Sequence, residues 1–234
     1  MNILTNFTAF TLSGFATAIS AAESAQEDTR VIDYEGTISY ELGLKSSLFD
    51  STLRLNLAAF SSEIEDYQFQ AQNPVFGTFV SNDGKAEVSG MDLQLEAVPL
   101  DYLTLTAGLL YMNEYKITEG PRQGEDLAYT ADWGGNLGAN LILPLANGSF
   151  YMRADYIFMD DHLTNRATSA VPSIDIDDRS LLNARIGWRD ANWDISLWGK
   201  NITDDKYANF TPDINLIGFT STYFLAPPRT YGAT

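Results

Sequence analysis

Residues 181–200 read LLNARIGWRDANWDISLWGK, and two opposed runs are visible in them. Leu182, Ala184, Ile186 and Trp188 alternate with Asn183, Arg185, Gly187 and Arg189. Trp193, Ile195 and Leu197 then alternate with Asn192, Asp194 and Ser196. A period of two places apolar side chains on one face of a strand and polar ones on the other. The Asp and Asn between the two runs are turn residues, so the stretch predicts an antiparallel hairpin.

The same phase extends upstream. Ile38, Tyr40, Leu42 and Leu44 form strand one; Leu53, Leu55, Leu57 and Ala59 open strand two, which is expected to continue to about Gln72. Val88, Met91, Leu93, Leu95 and Ala97 form strand three, with a slip near Gly90 that reads as a β-bulge. Alternation over 103–111, 137–143 and 150–158 supplies strands four to six, the opening hairpin supplies seven and eight, and PRTYGAT begins a ninth. The expected fold is all-β, an antiparallel up-and-down transmembrane β-barrel segment of about eight or nine strands.

Connection lengths point the same way. Short turns are expected near 48–51, 99–102, 145–148 and 190–192, and long polar connections near 66–85, 114–130, 160–178 and 204–225. Outer-membrane barrels keep periplasmic turns short and extracellular loops long. Aromatics near strand ends, Tyr40, Phe60, Tyr67, Tyr102, Tyr111, Tyr151, Trp188 and Trp193, are expected in interfacial belts. The apolar phase then faces lipid. The polar phase, carrying Arg54, Asp92, Glu96, Arg153, Asp155, Arg185 and Lys200, faces the lumen, where these residues either pair across strands or meet a ligand.

Composition sets the limits. Fourteen Lys plus Arg against 31 Asp plus Glu give a net charge of −17, so nucleic acid is not an expected partner. There is no cysteine and only His162, which leaves no Cys-based zinc site, no thiol nucleophile and no His-rich centre; no catalytic residue, metal or cofactor is expected. The acidic groups Glu63/Glu65/Asp66, Asp160/Asp161, Asp175/Asp177/Asp178 and Asp204/Asp205 read as solvated loop charge. Residues 1–30 read as an N-terminal segment, either a signal peptide without a basic start or a disordered beginning, and residues 31–234 as the barrel region. With mean hydropathy of −0.13, membrane spans would have to be strands.

Four blocks resemble the C-terminal part of TonB-dependent receptors, a family of plugged barrels. The stretch from Tyr40, with Glu41, Gly43 and Lys45, resembles the family's YE-x-GxK strand pair. Asn82, Gly84 and Lys85 match its Asn-x-Gly-Lys-Ala strand; Asn201, Thr203, Asp204 and Tyr207 match its N-[IL]-T-D-x-x-Y ending; Pro228, Arg229, Tyr231 and Gly232 match its closing strand. The resemblance implies a 22-stranded barrel, which at roughly 23 residues per strand and connection needs about 500 residues. The chain is therefore expected to be a fragment, with no plug, no TonB-engaging box and a clipped last strand. It implies a Gram-negative outer-membrane location, lipid as a partner, and, for the full-length family but not for this chain, a small scarce solute such as an iron chelate, vitamin or saccharide and the TonB system. Two other readings stay open: a small independent pore or structural barrel, and a soluble β binding module.

Overall fold

A computed structural model describes residues 32–73, 77–82, 84–163, 174–210 and 224–234. The segment 1–30 lies outside the described residues. Nine strands form one antiparallel sheet in the order β1 (Gly36–Leu48), β2 (Leu53–Glu65), β5 (Lys85–Leu100), β6 (Leu103–Glu119), β7 (Trp133–Leu145), β8 (Gly148–Met159), β11 (Arg179–Arg189), β12 (Asp194–Lys200), β15 (Thr230–Ala233). Three two-stranded hairpins lie in the long connections: β3 (Gln68–Asn73) with β4 (Gly77–Asn82), β9 (His162–Leu163) with β10 (Asp175–Ile176), and β13 (Ala208–Phe210) with β14 (Phe224–Leu225). Among the described residues β1 and β15 do not pair, so the sheet is open rather than a small closed barrel.

Local chemistry sets the short turns. Phe49, Asp50 and Ser51 all have positive φ, and the Thr52 hydroxyl donates to the Phe49 carbonyl at 2.8 Å. Asp190 Oδ1 accepts the N–H groups of Asn192 and Trp193 at 2.7 and 2.8 Å, an Asx-type turn. All the short turns fall at one end of the sheet and the long connections at the other.

The register joins the apolar phase of successive strands into one face. Leu55 lies opposite Leu95, Leu95 opposite Ala107, Ala107 opposite Leu137, Leu137 opposite Tyr156, and Tyr156 opposite Leu182. On the last strands Ile186 faces Leu197 and Leu197 faces Ala233. A one-residue slip would turn every side chain of a strand over, so the face itself holds the register. No described layer covers it: Leu42 is 76% and Leu197 62% exposed. A water-soluble domain does not leave so large an apolar surface bare.

Four expectations change. The long second strand is broken at Asp66, whose φ is +52°, so the segment towards Gln72 is β3 of a separate hairpin. β6 runs on to Glu119, which makes 114–119 strand rather than connection. Near Gly90 the extra residue is Asn113 of β6: Ser89 pairs with Glu114 and Gly90 with Met112, while β5 stays in register with β2. Val88 is then on the polar face, where it packs on a small cluster of Ala86, Ile117 and Leu127 under the 120–132 connection. Tyr111 and Trp133, 4.4 Å apart, sit together on the apolar face, but Phe60 and Tyr151 lie on the polar one, in phase with Arg54 and Arg153, where Gly90 and Gly187 across the ladder leave room for their rings.

Candidate functional site

The polar face is built by the same register. Arg54 lies opposite Glu96, Glu96 opposite Thr106, Thr106 opposite Gly138, Gly138 opposite Asp155, and Asp155 opposite Asn183. The next row runs from Asn140 through Arg153 and Arg185 to Trp198. Asp92, two residues from Gln94, and Lys200, two from Trp198, share this face by alternation. All seven sequence-selected charges therefore stand on one side of the sheet.

Most of them are paired. Arg54 Nη1 meets Glu96 Oε1 at 3.0 Å, and Arg153 holds Asp155 through two bonds of 2.8 Å each. Gln94 donates to Asp92 at 3.1 Å. A recess of about 870 Å³ opens beside the Arg54–Glu96 and Gln94–Asp92 pairs, lined by Arg54, Asp92, Gln94, Glu96, Asn136 and Arg179, and its floor is low at Gly108 and Gly134. Amides, carboxylates and guanidinia around a shallow hollow supply hydrogen bonds of both signs. Arg179, not selected from sequence, stands at the recess edge with its guanidinium 5.1 Å from the Tyr207 ring. Its placement depends on a contact 28 residues away, which no local pattern reveals.

The motif residues form two latches at the long-connection end. Asn82 Nδ2 donates to the Asp66 carbonyl at 2.7 Å and to the Asp33 carbonyl at 3.1 Å, while its Oδ1 accepts the Asp33 N–H at 3.0 Å. Gly84 has φ +96°, and a Cβ there would lie 2.3 Å from the Glu119 carbonyl oxygen, so only glycine fits. Lys85 reaches Glu63 at 3.1 Å, Glu65 at 3.5 Å and Glu119 at 3.9 Å. Glu63 and Glu65 are thus not merely solvated charge.

The second latch centres on Asn201, 6% exposed with φ +50°. Its N–H donates to Asn183 Oδ1 at 3.0 Å, its Oδ1 accepts the Asp205 N–H at 3.0 Å, and its Nδ2 donates to the Asp205 carbonyl at 2.8 Å. Thr203 Oγ1 donates to the Ser180 carbonyl at 2.9 Å, Asp205 accepts the Ser180 N–H at 2.6 Å, and Arg229 meets Asp204 at 3.4 Å. Asp204 and Asp205 therefore tie β11, β12 and the approach to β15 together, correcting their reading as loop charge. Asn201→Ala is expected to cost about 1–3 kcal/mol, by loss of buried hydrogen bonds and by left-handed strain. Urea unfolding of the chain as part of a closed barrel in detergent micelles measures this, and an unchanged midpoint would show that the side chain holds nothing.

The remaining motif residues are simpler. Glu41, Gly43 and Lys45 lie on the polar face opposite Phe60, Ala58 and Asn56; Tyr40 lies on the other, opposite Ser61. Pro228 precedes β15, Tyr231 is 79% exposed, and Gly232 lies under the Trp198 ring. His162 is in β9, opposite Ile176, and its Nδ1 is 3.2 Å from the Asp160 carbonyl.

Comparison with known proteins agrees with this architecture. The chain matches the family described as TonB dependent receptor-like, beta-barrel, over residues 9–202. It is 24% identical over 200 residues to the ferric-pyoverdine M114 receptor PbuA of Pseudomonas sp. (strain M114), a match that covers 82% of this chain and 23% of that receptor. The ferric yersiniabactin uptake receptor FyuA from Yersinia pestis superposes with a TM-score of 0.74 at 18% identity, over 93% of this chain and 32% of that one. The siderophore receptor PiuA from Acinetobacter baumannii does so with a TM-score of 0.68 at 17% identity, over 90% and 29%. The chain spans about a quarter of the curated relative's length, and it belongs to the TonB-dependent receptor β-barrel family.

Proposed function

We propose that this chain is a stretch of barrel wall in a Gram-negative outer-membrane receptor that imports a ferric chelate. The observation that carries the reading is the two-faced nine-stranded sheet: an apolar face left bare for lipid, and a charged, amide-rich face suited to a lumen. The relatives named above, receptors for ferric pyoverdine and ferric yersiniabactin, support iron chelates as the solute class. In this reading Arg54, Asp92, Glu96, Arg153, Asp155, Arg185 and Lys200 face the lumen, the long connections lie outside the cell and the short turns in the periplasm. The wall acts on solute and TonB only as part of a complete receptor. The named relatives are receptors, and binding and passage rather than bond chemistry are the expected role.

Deleting the coding region from its host tests the function. Growth under iron limitation should fail on one ferric chelate supplied as the sole iron source and persist on others. In the same host, cysteine at Gln123 should react with an impermeant reagent in intact cells, and cysteine at Asn147 should not. Unchanged uptake of every chelate would overturn the transport role, and labelling at Asn147 alone would reverse the orientation.

A further inference from the structure

The long connections are tied to one another by the one that follows β6. Past Gly120 the chain turns back along the end of that strand: Gly124 N–H donates to the Ile117 carbonyl at 2.8 Å, Ile117 N–H to the Glu125 carbonyl at 2.9 Å, and Leu127 N–H to the Tyr115 carbonyl at 2.7 Å. Residues 124–127 thereby take the edge of β6 that β7 occupies lower down. Leu127, 7% exposed, completes the small core of Ala86 and Ile117, against which Ile64, Tyr67, Val88 and Tyr115 pack. Tyr67 stands at the base of the β3–β4 hairpin, its N–H donating to the Gly84 carbonyl at 2.8 Å. A second link to that hairpin runs from Arg122, whose guanidinium lies 5.1 Å from the Phe69 ring and whose Nε donates to Glu125 at 2.8 Å. On the other side Tyr129, at φ +61°, donates its N–H to the Leu163 carbonyl of the β9–β10 hairpin. A bulky residue keeps that conformation only where its surroundings hold it.

We propose that residues 120–132 act as a tie that makes the two flanking hairpins open and close with it as one cooperative unit. Surface connections ordinarily open one at a time, because each has few apolar contacts and its backbone bonds stand in water. Here one apolar core serves two of the connections, and a backbone bond carries the link to the third. Releasing Leu127 therefore uncovers Tyr67 as well as Ile117, and frees the segment that presents Tyr129 to Leu163. Whatever contacts one hairpin then shifts all three segments, since a ligand acts on a two-state unit through its preference for one state.

Hydrogen exchange of the closed barrel that contains this chain, in detergent micelles and read by mass spectrometry over 64–72, 120–132 and 174–178, tests the unit. In the native protein all three segments are expected to share one opening equilibrium as urea is raised below the unfolding range. Leu127→Ala should speed exchange about tenfold or more, and by the same factor, in all three. Arg122→Gln, which leaves the apolar core in place, should move the three together by a smaller factor. Slow exchange retained in β7 and β8 shows that the barrel stays folded in both variants, and the native measurement stands without either. Separate opening equilibria in the native protein, or faster exchange confined to 120–132 or to one hairpin, would overturn the proposal. The readout involves no transport, so its failure is distinct from a failure of the iron-chelate reading.

Discussion

Arginine at Leu55 or Leu197 is expected to destabilise the sheet by roughly 2–4 kcal/mol in lipid, whereas arginine at Asn56 costs far less. Leu55 belongs to the row that continues through Leu95, Ala107, Leu137 and Tyr156 on the apolar face. A guanidinium there must enter hydrocarbon without a partner or drag water with it. Asn56 lies opposite Gln94 at the rim of the polar recess, where an added charge stays hydrated. Ser196 shares the polar face, yet it is a poor control, because it is buried beneath Arg185. Urea unfolding of the chain as part of a closed barrel in phospholipid bicelles, whose acyl chains cover the apolar face, gives the comparison. Equal loss from Leu55→Arg and Asn56→Arg would disprove the assignment of faces.

The second large effect is on transport, where the 234-residue chain alone is expected to support none. The described sheet is open, and β1 presents one side of a 13-residue strand without a described partner. Unpaired N–H and C=O groups in hydrocarbon cost several kcal/mol each. The chain should therefore pair with other barrel sequence, close improperly or aggregate instead of forming a pore by itself. Supplying it to a receptor-deficient strain on a limiting ferric chelate, together with envelope fractionation, measures the outcome. TonB-dependent rescue of growth would sink this expectation, and a monomeric heat-modifiable barrel would instead favour the small independent pore.

What the residues by themselves determine is the two-face pattern. Leu182, Ala184, Ile186 and Trp188 against Asn183, Arg185, Gly187 and Arg189 define strand, phase and neighbour, because alternation is local and the tight Asp190 turn leaves only one partner within reach. Nine strands and four short turns follow from the same local rule. The tertiary structure decides what depends on distant partners. Asn82 and Asn201 read as motif letters until their amides meet Asp33, Asp66, Asn183 and Asp205. Val88 is apolar, yet β5 in unbroken register with β2 carries it on the polar face, where it packs against Leu127 of the 120–132 connection, and glycines across the ladder leave room on that face for the Phe60 and Tyr151 rings. Alternation assigns a side chain to a face, but only the chain brought against that face decides whether it meets lipid, water or another side chain.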